Sequence, residues 1–301
     1  MILFALPPYE PLAVALHDLT GIERGRAAVR RFANRELHAE LETDPAGRDC
    51  VVLGAVAPPD EQMLATLLLG HTLKKEGART VTALLPYLGY ARHDKAERGK
   101  SRATAWLGAL LRASGVDEVV AVDVHSSLVH QLFPIPVRSL SPAVLFARDL
   151  RMLPFAEPTI VAPDAGALER CDAVRRAAGI RRPLAHFTKE RTPEGIKHSV
   201  LHGAVGRQAV LVDDILDTGG TLVSACEGLR RAGVEEIVVM ATHGLFTGRA
   251  WERLWSLGVT RIYCTDTTPP PGHLGSAAVV VLSVAPLLAG CLKPAAKDGE
   301  P

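Results

Sequence analysis

No stretch of this 301-residue sequence approaches the ~20 consecutive apolar residues that a helix needs to cross a bilayer. Residues 1–6 have neither the basic flank nor the cleavage site of a secretory signal, so a cytoplasmic protein is expected. The five cysteines, Cys50, Cys171, Cys226, Cys264 and Cys291, are odd in number, scattered and never paired as Cys-x-x-Cys. That pattern indicates neither a disulfide framework nor a zinc site, and most of the five read as small buried hydrophobes. Charge of one sign is lacking too. The 34 basic and 33 acidic residues leave a formal charge of +1, which makes no electrostatic case for nucleic acid or an anionic membrane as partner. Even the ending Gly99-Lys100-Ser101 is no Walker A loop, because the glycine required ahead of it is replaced by Asp94.

What the sequence does have is one dense stretch. Val210, Leu211 and Val212 form the apolar run of a central parallel strand, and Asp213 and Asp214 stop it. Ligands of open α/β sheets bind outside the carboxyl ends of the strands, which is where these two acids are expected to stand. Asp217, Thr218, Gly219, Gly220 and Thr221 follow. The two glycines remove Cβ atoms where backbone N–H groups approach an anion, and the hydroxyls add donors. Leu222, Ala225, Cys226 and Leu229 then recur at helical spacing, so the turn opens a helix whose N-terminus favours negative charge. Amides and hydroxyls suit a phosphate, and carboxylates suit groups that donate hydrogen bonds; a sugar phosphate offers both. The plainer alternative is a strand-to-helix turn with capping acids, and the paired acids in front weigh against it.

Around this stretch the sequence alternates strands and helices, which favours parallel sheets with right-handed crossovers. Residues 51–56 and 81–85 read as strands, and residues 63–73 as the helix between them. The phrase Leu111-Arg112-Ala113-Ser114-Gly115-Val116 recurs as Leu229-Arg230-Arg231-Ala232-Gly233-Val234, each a helix end, a glycine stop and a buried strand. The match continues until His125 falls in register with His243. A repeat this long implies two copies of one α/β domain. The expected boundaries are 1–142 and 143–284, with 285–301 packing back on the first domain.

Three further sites stand out. Arg92, His93, Lys95, Arg98, Lys100 and Arg102 form a basic run after the strand 81–85, readable either as a site or as a solvated face. Asp123 and His125 are two apart at a strand end, which would put both side chains on one face. Lys189 and Arg191 lie in a polar segment with Thr192, Pro193 and Gly195, readable as ordinary loop surface or as a pair of cations for a phosphate.

Residues 210–221 resemble the loop shared by phosphoribosyltransferases and ribose-phosphate pyrophosphokinases. Residues 80–111, with Pro86-Tyr87 and Tyr90-Ala91-Arg92, are similar to a segment of the pyrophosphokinases alone. With four motifs in family order between Phe4 and about Thr268, the chain is identified as a member of the ribose-phosphate pyrophosphokinase family. The resemblance implies two tandem phosphoribosyltransferase-like domains, each with a mainly parallel sheet, the first on the ATP side and the second on the ribose 5-phosphate side. It implies diphosphoryl transfer from MgATP to the 1-hydroxyl of ribose 5-phosphate, with AMP as the other product. Lys189 and Arg191 would be catalytic; Phe32, Asn34, Glu36, Arg92 and His93 would meet ATP. Asp213, Asp214, Asp217, Thr218, Gly219, Gly220 and Thr221 would hold ribose 5-phosphate, while His125 and Asp164 would bind Mg2+. A homo-oligomer is implied as well, because the loop 32–36 in relatives reaches a neighbour's nucleotide site. Two departures stand against the family pattern. Asn34 and Arg35 replace an Asp and a Gly, and Ala5-Leu6-Pro7-Pro8 replaces a Ser-Gly element tied to phosphate control. The rival readings are a phosphoribosyltransferase and a non-catalytic regulatory paralogue.

Overall fold

The apolar runs become parallel strands. A computed structural model describes residues 1–191, 197–269 and 278–292, the backbone alone being described for 189–191 and 197–199. It divides into two units, one formed by Met1–Leu140 with Ser283–Pro301 and the other by Ser141–Leu282. The polar tail 293–301 lies outside the described residues.

In the first unit the elements are β1 (Ile2–Ala5), α1 (Glu10–Thr20), β2 (Glu23–Arg24), β3 (Ala27–Arg31), β4 (Leu37–Leu41), β5 (Asp49–Leu53), α2 (Asp60–Lys75), β6 (Thr80–Leu85), α3 (Ala103–Ala113), β7 (Glu118–Val122), α4 (Val129–Leu132) and β8 (Val137–Leu140). Six of the strands form one parallel sheet in the order β2-β1-β5-β6-β7-β8. Val52, Val81, Ala83, Leu85, Val119 and Ala121 line one face of it, sealed by Leu69 and Leu73 of α2 and by Leu107 and Leu111 of α3. Burying such side chains contributes ~1.5–3 kcal/mol each, which makes the sheet a rigid platform for the loops at its carboxyl edge. The strands β3 and β4 pair separately as an antiparallel hairpin.

The second unit runs α5 (Ala143–Leu150), β9 (Thr159–Ala162), α6 (Leu168–Ala178), β10 (Ala185–Arg191), β11 (Lys197–His202), β12 (Gln208–Leu216), α7 (Gly220–Arg231), β13 (Glu236–Gly244), α8 (Arg253–Ser256), β14 (Val259–Thr265) and β15 (Val279–Leu282). Its sheet, β11-β10-β9-β12-β13-β14-β15, is parallel except for the β10–β11 pair. Alternation along β12 divides the core. Ala209 and Leu211 pack with the α7 residues Leu222, Cys226 and Leu229, whereas Val210 and Val212 pack with Phe146 of α5 and with Cys171 and Val174 of α6. The last helix, α9 (Ala285–Leu292), belongs to the first unit and packs against α1.

The repeated phrase takes the same shape twice. Gly115 and Gly233, at φ 82° and 87°, end α3 and α7 in the left-handed conformation that glycine adopts without a Cβ penalty. Val116 N–H donates to the Leu111 carbonyl at 3.1 Å and Val234 N–H to the Leu229 carbonyl at 3.0 Å, so both helices are closed by one hydrogen-bond pattern.

Candidate active site

Four features of the second unit lie at or beyond the carboxyl ends of strands in its sheet. The strand β12 does not stop at the acids as the sequence suggests. It runs on to Leu216, because the nine-residue β13 still offers backbone partners: Asp213 pairs with Ala241, Ile215 with His243 and Leu216 with Gly244. Asp213 Oδ1 accepts the Asp214 backbone N–H at 2.9 Å. Burial, followed by the neighbouring Asp214 carboxylate, pushes the Asp213 carboxyl well above the usual carboxylate range, while Arg170 pulls the other way.

Beyond the strand, Asp217 to Gly220 make the turn into α7. Gly219 sits at φ 85°, and a Cβ there would lie 2.8 Å from both Cα and Cβ of Trp251. Its missing side chain is therefore demanded by handedness and by tryptophan packing, while Gly220 has nothing within 4 Å and faces open space. Thr218 and Gly220 are exposed, and the N-cap of α7 is Gly219, so the start of the helix is open to solvent with its partial positive charge. The loop after β13 clasps the turn: Leu245 and Phe246 N–H groups donate to the Leu216 carbonyl at 2.9 and 3.0 Å, and Thr247 N–H donates to that of Asp217 at 3.1 Å.

The turn after β9 carries Asp164. Its Oδ1 accepts the Gly166 N–H at 2.9 Å and caps the short helical turn Ala165–Ala167 that leads into α6. Lys189 and Arg191 stand on an extended hairpin where the sequence suggests a loop, with Lys189 opposite Ser199 and Arg191 opposite Lys197. Polar residues on both arms hide this pairing from a search for apolar alternation. Their side chains, and Thr192, Pro193 and Gly195, lie outside the described residues.

In the first unit, Arg92 and His93 line a cleft of about 780 Å³ together with Asp94, Lys95, Glu97, Lys100, Ser101, His125 and Ser126. The cleft is built from two anchors. Tyr90 adopts φ 60°, and its carbonyl accepts from the Thr104 hydroxyl at 2.9 Å at the start of α3. Arg102 Nε donates to the Asp94 carbonyl at 2.9 Å, closing the loop on itself. His125 does not share a strand face with Asp123, contrary to the spacing. The strand β7 ends at Val122, and Asp123 turns left-handed at φ 46°, which sends His125 out beside the basic loop. Its counterpart His243 stays on β13, buried, with Nδ1 2.8 Å from the Thr267 hydroxyl.

The hairpin β3–β4 carries Phe32, Asn34 and Glu36 at its tip. Phe32 is exposed and stacks on His38 at 4.2 Å, and Asn34 Oδ1 accepts the Glu36 N–H at 3.1 Å. Arg35 adopts φ 74°, the conformation for which a glycine is suited, at a cost of roughly 1 kcal/mol. Arg31 compensates by donating to the Arg35 carbonyl and pairing with Glu61 at 2.8 Å.

One residue escapes the sequence reading. Arg170, in the first turn of α6, reaches Asp214 at 3.9 Å with both side chains almost enclosed. The available signal was a cation in a helix's first turn, where the dipole favours acids. Among the described residues no three His, Cys, Asp or Glu side chains gather as a metal site, and no helix is long and apolar enough to cross a membrane.

Comparison with known proteins agrees with this division. Residues 1–115 match the family model described as the N-terminal domain of ribose phosphate pyrophosphokinase, and residues 144–262 match the phosphoribosyl transferase domain. The ribose-phosphate pyrophosphokinase of Streptomyces avermitilis is 34% identical over 276 residues, covering 89% of this chain and 85% of its own. That of Bacillus caldolyticus is 31% identical over 291 residues, covering 95% and 92%. The crystal structure of phosphoribosylpyrophosphate synthetase from Mycobacterium smegmatis superposes with a TM-score of 0.87 at 29% identity over 96% of each chain. With an α/β sheet in each unit, a basic cleft in the first and an acid pair before a glycine turn in the second, the chain belongs to the ribose-phosphate pyrophosphokinase family.

Proposed function

We propose that this chain transfers the diphosphoryl group of MgATP to the 1-hydroxyl of ribose 5-phosphate, giving phosphoribosyl pyrophosphate and AMP. The observation that carries the reading is the basic cleft of the first unit, where Arg92, His93 and His125 meet. A phosphoribosyltransferase needs the second unit alone and leaves that cleft without a purpose.

In this reading the amides at the start of α7, with the Thr218 and Thr221 hydroxyls, hold the 5-phosphate, and Asp217 borders the same turn. Asp213 and Asp214 accept hydrogen bonds from the ring hydroxyls, which orients the 1-hydroxyl toward the β-phosphorus of ATP. Arg92 and His93 hold the nucleotide, and the hairpin tip with Phe32, Asn34 and Glu36 serves it too. Lys189 and Arg191 stabilise the charge that spreads over the transferring group; positioned cations supply most of the catalysis in such transfers. Bond formation at the 1-oxygen accompanies cleavage of the bond to the α-phosphate oxygen, which leaves on AMP.

The family resemblance nominates His125 of the first unit and Asp164 of the second as candidate Mg2+ ligands, each taken by itself. Mg2+ keeps several waters and takes few protein ligands beside substrate phosphates, so one imidazole and one carboxylate would suffice beside the substrate. Asp164 offers a second carboxylate oxygen that makes no hydrogen bond among the described residues. The ion would neutralise phosphate charge. The hairpin tip also supports a homo-oligomer, at least a dimer, and a fully active monomer in sedimentation would refute that assembly.

Purified chain mixed with ATP, ribose 5-phosphate and Mg2+ is expected to release AMP in step with phosphoribosyl pyrophosphate. Pyrophosphate release from phosphoribosyl pyrophosphate and a nucleobase would identify a transferase instead. Silence in both assays would identify a regulatory paralogue, the reading that the substitutions Asn34 and Arg35 favour.

A further inference from the structure

Arg170 sits where a helix least favours it. It is the third residue of α6, in a first turn whose partial positive charge repels cations, and its side chain is only 12% exposed. A buried guanidinium in that place is costly unless carboxylates compensate it. Asp214, 8% exposed, lies 3.9 Å away.

The location follows from the strand's alternation. Val210 and Val212 turn toward α5 and α6, so Asp214, next on that face, meets α6. Docking at this level is close: the adjacent Cys171 Sγ lies 3.3 Å from the Val212 carbonyl. The same short stretch begins at Asp164, whose carboxylate caps the turn before α6. Arg170 therefore joins the turn carrying Asp164 to the strand end carrying Asp213 and Asp214, all within the second unit.

We propose that Arg170 is a positioning residue for the acid pair: it holds Asp214, and with it the strand end, where the two acids receive the ring hydroxyls of a pentose 5-phosphate. This rests on the functional reading above. Arg170 itself touches no reacting atom. It sets a compensating charge beside Asp214 and fixes where that carboxylate stands, and a displaced acid is a weaker acceptor for a sugar hydroxyl. The anion turn at 217–220 is reached by a different set of contacts, so the sugar ring and not the phosphate is the part of the ligand that Arg170 governs.

The full chain carries the test, as wild type, Arg170→Gln and Arg170→Lys. Calorimetric titration with ribose 5-phosphate gives the dissociation constant, titration with inorganic phosphate probes the turn alone, and initial rates give KM for ATP. Arg170→Gln is expected to weaken ribose 5-phosphate binding at least tenfold, leaving phosphate binding and the KM for ATP within twofold. Arg170→Lys, which keeps the charge without the planar fork, is expected to recover part of the loss. Ribose 5-phosphate affinity within twofold of wild type in a folded Gln variant would overturn the proposal. So would equal losses for all three ligands, or a Lys variant as impaired as Gln, since either marks a merely structural arginine. If Arg170→Gln does not fold, Arg170→Lys decides alone: it must weaken ribose 5-phosphate at least threefold and spare phosphate, and failure to do so overturns the role. Wild-type chain that binds no ribose 5-phosphate would overturn the functional reading and this role together.

Discussion

The passages from α3 into β7 and from α7 into β13 begin alike and finish apart. Both helices end on a left-handed glycine, at Gly115 and Gly233, with one closing hydrogen-bond pattern. The strands then diverge. β7 stops at Val122 and a left-handed Asp123 turns His125 outward into the basic cleft, while β13 runs on through His243, which stays buried against Thr267. Equivalent histidines have thus become a cleft residue and a core residue through the length of a strand. The scaffold is retained where it packs, and the units differ at the carboxyl edge of the sheet.

The largest expected break between the units lies in the second, on its antiparallel hairpin. Changing Lys189 or Arg191 to Ala should lower kcat by at least ~100-fold with little change in KM, because interactions stronger in the transition state appear in kcat. Steady-state rates decide this, and near-normal kcat in both variants would make the pair ordinary surface. Next comes the anion turn. Asp217→Asn or Thr218→Ala should weaken ribose 5-phosphate by roughly 10- to 150-fold, the equivalent of ~1.5–3 kcal/mol for charge-assisted contacts, and leave ATP nearly alone. Equal loss for both substrates would remove the turn from its assigned ligand.

The histidines test the comparison directly. His243→Ala should cost ~2 kcal/mol, lowering Tm by about 4–8 °C, since it empties a buried, hydrogen-bonded position. His125→Ala should leave Tm within about 1 °C, as for a surface change, and reduce kcat/KM for ATP about tenfold. A reversed pattern would mean that the strand ends have been assigned the wrong way round. The smallest effect separates the glycines. Gly233→Ala should cost about 1 kcal/mol for its left-handed backbone alone, because nothing lies within 4 Å of the added Cβ. Gly115→Ala should cost more by chemical denaturation, since its Cβ would meet that of Lys74 at 2.8 Å.

Much of this was legible in the residues. The apolar runs, the glycine stops and the duplicated phrase gave alternating strands and helices because burial and helix termination are local signals. The turn 217–221 was legible for the same reason. Strand ends were not. Nothing in Asp123-Val124-His125 announces a left-handed Asp, and nothing in Asp213-Asp214 announces that β13 is long enough to keep pairing beyond them. Polar pairing between 189–191 and 197–199 leaves no alternation to read. Gly219 was legible as a glycine that must be there, but only the fold reveals Trp251 against it. Arg170 carried only the faint signal of a cation in a helix's first turn, because its partner lies far along the chain on a different element.

The return of α9 to the first unit bears on how the chain is made. Residues 141–282 interrupt the first unit in sequence, and the helix that covers α1 with Ala285, Leu288, Ala289 and Leu292 is synthesised after the whole of the second. On the ribosome the usual order, in which the N-terminal domain is finished first, is therefore unavailable. The second unit can close on its own residues, while Leu12, Ala13 and Leu16 of α1 wait for a cover nearly 270 residues downstream. During that interval the apolar face of α1 lacks its covering helix, the kind of exposed surface that favours aggregation.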